Sequence, residues 1–283
     1  MKSLSQRLKQ DEILIAPGVF DMISAKVADS LGFDVLYMTG YGVVASHLGL
    51  PDAGIATYTD MVSRVRQIAE GTKTPLIADG DTGYGGLLNL EHTVRGYERA
   101  GATAIQLEDQ EFPKKCGHML GRNVVPLEDM LAKIRVARDT RDSDEFLIIA
   151  RTDSRTTLGL DEALRRADAF AEAGADILFV ESPESEEEMR TICERFDLPL
   201  LANMVEGGRT PVLSRDDLQS LGYKIALFPG SGFLAAGQAL KAVYTDLKET
   251  GSTAGSKVDF YPFAEFSQLM GFGQVYDFEQ KYK

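Results

Sequence analysis

Eight short apolar runs recur along the chain, and their number and spacing constrain its fold more than any other feature. They cover 12–18, 34–40, 75–81, 104–110, 146–153, 177–183, 199–205 and 224–231. The runs are nearly continuous rather than alternating, as parallel strands buried on both faces should be. Stretches with helical spacing lie between them, most clearly at 128–140 and 161–174, and the second ends at Gly174, a typical helix stop.

Eight β–α units in a chain of 283 residues predict one (β/α)₈ TIM barrel domain that covers 1–283. A doubly wound open sheet is the alternative. The barrel is favoured because polar residues gather at the end of nearly every run, where barrel enzymes carry their active sites. A C-terminal tail, about 233–283, is rich in aromatic residues over 258–282. It predicts a helical segment that packs on its own barrel or on a neighbouring subunit.

Composition narrows the classes of function and the compartment. The formal net charge of -13 and the pI near 4.8 argue against a nucleic-acid-binding surface. No apolar run reaches the ~20 residues that span a bilayer, so no membrane partner is expected. The first residues include no long apolar stretch typical of a signal peptide. Two cysteines give no disulfide framework, and we therefore expect a reducing, cytoplasmic location.

Acidic residues at the ends of two neighbouring runs indicate a metal site. Asp79 and Asp81 lie two residues apart and would share one face of a strand, and a glycine-rich stretch follows them. Glu108 ends the next run, and Asp52 precedes both. Carboxylates on one face suit a hard cation such as Mg²⁺. The alternative is a turn with solvated acids, and the three histidines match no structural zinc spacing.

Two further polar residues end apolar runs. Arg151 emerges from the fifth run, and arginine is rarely buried without a partner. A bidentate grip on a substrate carboxylate or phosphate would explain it, as would an internal salt bridge to Glu108 or Glu181. Asn203 ends the seventh run and could orient a carboxylate or satisfy its own turn.

The stretch PKKCGH, 113–118, places a thiol in a locally basic loop. Neighbouring cations favour the thiolate and make proton exchange easy near neutral pH. Cys116 is therefore predicted to be reactive, and proton delivery to a carbanion fits it better than acyl-enzyme chemistry. Cys193 lies in an apolar helical stretch and is predicted to be inert.

Motifs in order along nearly the whole chain resemble the isocitrate lyase/phosphoenolpyruvate mutase superfamily: TGYG, LPD, DGDTGYGG, LEDQ, PKKCGHM, ARTD, VESP and ANMVEGG. The resemblance implies a barrel whose last helix swaps between subunits, usually in a homotetramer built as a dimer of dimers. It also implies Mg²⁺, with Mn²⁺ as a possible substitute, bound directly by Asp79 and mostly through water by Asp52, Asp81 and Glu108.

The resemblance assigns substrate contacts as well. Carboxylate and carbonyl groups of a pyruvate-like unit would contact Thr39, Gly40, Tyr41, Gly42 and Arg151. A second carboxylate pocket and its loop would be shaped by Lys114, Lys115, Gly117, His118, Glu181 and Asn203. Closure of the cysteine loop, defined as 111–124, would exclude water.

The KKCGH motif is typical of the carbon–carbon lyases of the superfamily, in which it lies on a mobile gating loop. The implied role of Cys116 is to protonate the carbanion left by bond cleavage, and Tyr41 is a candidate for the base at the C2 hydroxyl. Gln106 and Leu234 stand where a tricarboxylate would need cations. The expected substrate is therefore a 2-hydroxy dicarboxylate of the malate type, such as 2,3-dimethylmalate, cleaved to pyruvate and propionate.

Three alternatives stay open at this point. They are oxaloacetate hydrolysis or decarboxylation, cleavage of 2-methylisocitrate, and a barrel retained without catalysis as an interaction protein.

Overall fold

The eight apolar runs form eight strands. The structure, a computed structural model, describes residues 3–119 and 121–283. Its strands are β1 (Leu14–Val19), β2 (Leu36–Met38), β3 (Leu76–Asp79), β4 (Ala104–Glu108), β5 (Leu147–Thr152), β6 (Ile177–Val180), β7 (Leu201–Asn203) and β8 (Ile225–Phe228). Each strand coincides with one run, so the strand predictions are confirmed.

Helices fill the intervals between the strands. They are α1 (Leu4–Leu8), α2 (Met22–Ser30), α3 (Gly40–Leu48), α4 (Tyr58–Gly71), α5 (Leu87–Arg99), α6 (Leu127–Thr140), α7 (Arg155–Leu158), α8 (Leu160–Ala173), α9 (Glu186–Arg195), α10 (Arg215–Leu221), α11 (Ser231–Thr250), α12 (Phe263–Leu269) and α13 (Phe272–Lys281). Gly174 ends α8 in the left-handed region at φ 108°, as its sequence predicts.

The strands are parallel and close into a barrel. Their order is β6-β5-β4-β3-β2-β1-β8-β7, so consecutive strands pair throughout except β6 and β7, and β1 pairs with β8. A parallel bridge between Leu178 and Leu200 joins the two ends of this order. The (β/α)₈ barrel is confirmed, and the open sheet is excluded because its order would not place β1 beside β8.

The inward-facing side chains of the strands change from apolar to polar along the barrel axis. One apolar cluster, separate from the layer between strands and helices, includes Ile77, Ala104, Ile149, Phe179 and Leu201. Side chains two apart on a strand share a face. The same rows therefore continue, towards the carboxyl ends, into Asp79, Glu108, Arg151, Glu181 and Asn203. The apolar layer supports the barrel, and the polar residues meet at its mouth.

The C-terminal tail comprises three helices rather than one. None of the residues of α11, α12 or α13 is buried. Large apolar side chains such as Tyr244, Phe263 and Phe278 are 62%, 87% and 65% exposed. No helix in the described part of the chain is long and apolar enough to cross a membrane.

Candidate active site

A cavity of about 70 Å³ at the mouth of the barrel brings most of the predicted site residues together. Predicted residues that line it are Thr39, Tyr41, Asp52, Asp79, Glu108, Lys114, Cys116, Gly117, His118, Arg151 and Asn203. Gly40, Gly42, Asp81 and Glu181 lie behind these and contact them. Sequence reasoning missed Tyr37, Val205, Leu227, Pro229, Gly230 and Phe233.

Thr39 to Gly42 form the start of α3 rather than a strand end. Thr39 caps the helix, and its hydroxyl accepts from the backbone N–H of Gly42 at 3.5 Å. The N–H of Gly40 donates to Oδ2 of Asp79 at 3.2 Å. A Cβ at Gly40 would lie 2.6 Å from that oxygen, so only glycine lets the helix approach so closely. The approach places a helix N-terminus, which favours anions, against the cavity.

Lys114 lies among the acids. Its Nζ lies 2.5 Å from Oδ1 of Asp52 and 2.6 Å from Oδ1 of Asp81, and its side chain is buried. Burial lowers the pKa of Lys114, but Asp81, Glu108 and Asp52 outweigh burial and raise it well above its usual value. The ammonium therefore stays charged. Its charge faces two carboxylates of the protein, and its role in a second carboxylate pocket stays a prediction.

The acids at the mouth are not fully compensated by Lys114. Among the described residues, Oδ1 of Asp52 and Oδ1 of Asp81 are paired only with Nζ of Lys114, and Oε1 of Glu108 is buried without a hydrogen bond. Burial, opposed in part by Lys114, raises the pKa of Asp81 to about 7. Burial also raises the pKa of Glu108 well above its usual value, although Arg151 opposes it. These carboxylates share too little positive charge for all of them to ionise.

A hard divalent cation fits these residues. Carboxylate oxygens are the ligands Mg²⁺ prefers, and it keeps several waters of its own. Across 3–119 and 121–283, no group of three or more acidic, histidine or cysteine side chains is arranged to hold a metal ion by itself. Asp79 lines the cavity, with Oδ1 accepting from the backbone N–H of Asp81 at 3.0 Å.

Arg151 is buried, and a carboxylate that sequence reasoning missed holds it in place. Asp153 accepts from its Nε at 2.9 Å and from its Nη2 at 2.8 Å. The predicted partners Glu108 and Glu181 also face Arg151, at 3.5 and 3.4 Å. Burial lowers the pKa of Arg151, but Asp153 and Glu108 outweigh it and raise the pKa well above its usual value. The guanidinium is therefore a permanent cation in the cavity wall.

Glu181, Asn203 and His118 form one hydrogen-bonded group opposite the acids. Nδ2 of Asn203 donates to Oε2 of Glu181 at 2.9 Å, and Nε2 of His118 lies 3.4 Å from Oε1 of Glu181. The N–H of Arg209 donates to Nδ1 of His118 at 3.1 Å. Burial lowers the pKa of His118, although Glu181 opposes it. A neutral imidazole with its proton on Nε2 follows from these contacts.

The cysteine loop packs down onto the cavity. Leu120 of this loop lies outside the described residues. The N–H of Cys116 donates to the carbonyl of Asp52 at 3.2 Å, and the hydroxyl of Ser182 donates to the carbonyl of Gly117 at 3.1 Å. A Cβ at Gly117 would lie 2.2 Å from Nη2 of Arg151. Glycine is therefore required for the loop to lie this close to the arginine.

The two lysines that precede Cys116 in the sequence bond other groups in the fold. Nζ of Lys115 turns away to bond the carbonyl of Gly121 at 3.1 Å, and Lys114 faces the acids. Burial raises the pKa of the Cys116 thiol above its usual value. Arg151 and Lys114 favour the thiolate as expected, but burial outweighs them, so the net direction expected for the pKa of Cys116 is wrong. A thiol that stays protonated is suited to give up a proton and poorly suited to nucleophilic attack.

An apolar wall completes the cavity. It is formed by Val205, Leu227, Pro229 and Phe233, and the ring of Phe233 lies 5.1 Å from that of Tyr41. Gln106 lies below the cavity, where its Oε1 accepts from the hydroxyl of Tyr37 at 2.6 Å. Leu234 is 49% exposed and does not line the cavity. The wall could have been suspected only from the apolar residues after β7 and β8.

Comparison with known proteins gives a consistent family. The phosphoenolpyruvate phosphomutase family matches residues 4–248. The chain is 50% identical over 279 residues to a 2,3-dimethylmalate lyase of Eubacterium barkeri, covering 99% of this chain and 96% of the relative. It is 40% identical over 278 residues to a 2-methylisocitrate lyase of Aeropyrum pernix, covering 98% and 88%.

This chain belongs to the isocitrate lyase/phosphoenolpyruvate mutase superfamily. The resemblance read from its motifs is confirmed, as is an enzyme of the carbon–carbon lyase type.

Solved structures of the superfamily share the fold over nearly the whole chain. An oxaloacetate acetylhydrolase bound to 3,3-difluorooxalacetate has a TM-score of 0.93 at 34% identity, covering 99% of this chain and 96% of its own. A 2,3-dimethylmalate lyase has a TM-score of 0.92 at 36% identity, covering 100% and 96%. A phosphonopyruvate hydrolase complexed with oxalate and Mg²⁺ has a TM-score of 0.88 at 28% identity, covering 98% and 96%.

Proposed function

We propose that this protein is a magnesium-dependent lyase that cleaves a 2-hydroxy dicarboxylate of the malate type, with 2,3-dimethylmalate giving pyruvate and propionate. One observation carries the proposal. The protonated thiol of Cys116 lines the same small cavity as the carboxylates of Asp79 and Glu108 and the guanidinium of Arg151. A proton donor, a cation site and an anion clamp in one enclosed space are the parts that such a cleavage requires.

Mg²⁺, or Mn²⁺ in its place, would be held by Asp79 directly and by Asp52, Asp81 and Glu108 mostly through water. The buried Oε1 of Glu108, which has no hydrogen bond, supports this assignment, as does the Mg²⁺ complex of the phosphonopyruvate hydrolase. When bound, the metal supplies stabilisation of negative charge on the C1 carboxylate and the C2 oxygen.

The side chains of this chain account for the other steps. Arg151 and the N-terminus of α3, from Thr39 to Gly42, bind the C1 carboxylate. Tyr41, as its phenolate, is the candidate to accept the proton of the C2 hydroxyl and become the neutral phenol. The C2–C3 bond then breaks, its electron pair passes to C3 and the adjoining carboxylate, and C2 becomes the carbonyl of pyruvate. Cys116 donates its proton to C3, which gives propionate and leaves a thiolate that must be reprotonated.

The second half of the substrate faces two kinds of surface. Asn203 and His118 line the cavity, and the second N–H of the Asn203 amide is the donor assigned to the C4 carboxylate, because its first N–H bonds Glu181. The apolar wall of Val205, Leu227, Pro229 and Phe233 complements small alkyl substituents. In the described part of the chain, a third carboxylate would find no further cation lining the cavity, because Arg151 is assigned to the C1 carboxylate and Lys114 is paired with Asp52 and Asp81. The cavity therefore favours an alkylated malate over a methylisocitrate.

Hydrolysis of oxaloacetate is the second candidate. It is favoured by the structural match to an oxaloacetate acetylhydrolase with a bound difluoro analogue of oxaloacetate. The same clamp and cation site would serve that reaction, and only the attacking water would be new.

We also propose that the chain is a single domain over 1–283 that assembles into a cytoplasmic homotetramer, with its C-terminal helix swapped between subunits. The exposed aromatic side chains of α11, α12 and α13 support a partner surface for the tail. Light scattering on the full chain after size exclusion measures the mass, and a monomer at micromolar concentration would contradict the assembly.

Product analysis tests the proposed reaction. The purified protein is incubated with Mg²⁺ and, separately, with 2,3-dimethylmalate, 2-methylisocitrate or oxaloacetate, and pyruvate and oxalate are quantified. We expect pyruvate from 2,3-dimethylmalate and its loss on chelation of the metal. Oxalate from oxaloacetate at a higher rate would replace the proposal with the hydrolase, and no product from any substrate would refute both.

A further inference from the structure

Asp153 is a fully buried carboxylate that joins two parts of the site. It accepts from Nε and Nη2 of Arg151 at 2.9 and 2.8 Å. Its Oδ1 also accepts from Nη1 of Arg122, a residue near the C-terminal end of the cysteine loop. Its own N–H donates to Oδ1 of the buried Asp109 at 2.8 Å, which fixes the backbone beneath it. One carboxylate therefore serves two guanidinium groups.

Arg122 is buried as deeply as Asp153 yet does not line the cavity. It is 2% exposed, and its Nη2 donates to the hydroxyl of Thr156 at 2.6 Å. Its Nε donates to the carbonyl of Met119 at 3.0 Å, so it also holds the turn that follows Cys116. A guanidinium with three fixed partners defines both position and orientation. The loop is thereby attached to β5 and the segment that follows it.

The two arginines depend on each other through Asp153. Burial raises the pKa of Asp153, but Arg151 and Arg122 outweigh it and lower the pKa, so the carboxylate stays charged near neutrality. Removal of Arg122 would leave Arg151 and Asp153 free to shift as a pair, because Oδ1 would lose one of its two donors. Gly117 of the same loop packs against Nη2 of Arg151, so a shift there changes the loop again.

We propose that Asp153 is a positioning residue that couples the seating of Arg151 to closure of the cysteine loop through Arg122. A change that weakens anion binding at Arg151 then also exposes Cys116 to solvent, and a bound anion protects it. The inference rests on the proposed function for the identity of the anion, a carboxylate, but not for the coupling itself.

Alkylation of Cys116 measures the coupling directly. Iodoacetamide labelling is followed by peptide mass spectrometry, which separates Cys116 from Cys193, with and without Mg²⁺ and oxalate. The variants are Arg122→Lys, Asp153→Asn and the double variant. Arg141→Lys is the matched control, because Arg141 also pairs with a carboxylate and a carbonyl, those of Asp176 and Phe146, away from the cavity.

We expect Arg122→Lys and Asp153→Asn to raise the alkylation rate of the free protein on the order of tenfold, and to raise the oxalate concentration needed for protection by a similar factor. The alkylation rate of the double variant should exceed that of Asp153→Asn by less than about twofold, because both substitutions disrupt the same Arg122–Asp153 interaction. Arg141→Lys should label like wild type even if its melting temperature falls.

Other results overturn the inference. One such result is that Arg122→Lys has the same Cys116 alkylation rate and the same protective oxalate concentration as wild type. Another is that Arg122→Lys and Arg141→Lys change these two quantities equally. Either result would mean that the network contributes only to fold stability. Arg122→Lys keeps the Asp153–Arg151 pair, so it decides the matter even if Asp153→Asn fails to fold. If oxalate does not protect wild type, the proposed function is at fault, while labelling of the free variants still tests the coupling.

Discussion

The two ends of the barrel interior are built from the same strands and differ in how well their side chains are satisfied. At the amino end, the inward rows are apolar and fully buried, as at Ile77, Ile149 and Ile177. Two to four residues further on, the same rows end in Asp79, Arg151 and Glu181. Buried oxygens without hydrogen bonds lie at this mouth. The comparison teaches that one end supplies stability and the other keeps charge available for a ligand.

This division gives opposite expectations for substitutions at the two ends. An acid at the mouth is buried among like charges, so its loss should remove activity without removing stability. An apolar side chain in the layer below contacts no ligand, so its loss should do the reverse.

The largest effect is expected for Asp79→Asn. The substitution keeps the size of the side chain but removes the charge that would bind the metal directly. Turnover of 2,3-dimethylmalate should fall by about 10³-fold or more, equivalent to about 4 kcal/mol. The melting temperature without metal should fall only slightly, because relief of like-charge repulsion offsets the loss of one backbone N–H bond from Gly40 or Asp81, and Mg²⁺ should no longer raise it. A large fall in the melting temperature without metal would show that the mouth also supplies stability, against the division between the two ends of the barrel.

Ile177→Ala should show the converse. Ile177 is fully buried in the inner layer, on β6 below Phe179 and Glu181. We expect the free energy of unfolding in urea to fall by about 2–5 kcal/mol, and Ile177→Val to cost about 0.5–1.5 kcal/mol. The KM of the folded variants should stay within about twofold of wild type. A loss of turnover that exceeds the loss of folded protein would show that the layer also shapes the site.

The pH dependence of thiol labelling sharpens the comparison within the mouth. Burial raises the pKa of Cys116, and only the thiolate reacts with iodoacetamide. The labelling rate should therefore rise about tenfold per pH unit from pH 7 to 9 without levelling off. Cys193, whose pKa burial raises to about 12, should label more slowly throughout. A plateau for Cys116 below pH 8 would mean that nearby cations stabilise the thiolate after all.

The strands and the charged residues at the barrel mouth could be predicted from the sequence because each depends on local pattern. Parallel strands buried on both faces are apolar along their length, and the polar residues that end them must meet at one mouth. Asp79, Glu108 and Arg151 were identified in this way.

The pKa of Cys116 and the role of Asp153 could not be read from the sequence, because both depend on how the cysteine loop folds back. Lysines adjacent in sequence to Cys116 turn to other partners, so adjacency gave the wrong sign for its pKa. Arg122 reaches Asp153 across 31 residues of chain. Its spacing carries no periodic signal, although Asp153 does lie two residues after Arg151 on the same face.

One measurement tests the central claim most directly: the rate of pyruvate release from 2,3-dimethylmalate with Mg²⁺ by wild type, Cys116→Ser and Cys193→Ser. The account predicts that Cys116→Ser loses about 10²–10⁴-fold in kcat, the usual contribution of a general acid, while Cys193→Ser stays within about twofold of wild type. A Cys116→Ser variant as fast as wild type would contradict the account, because the proton at C3 would then come from another group.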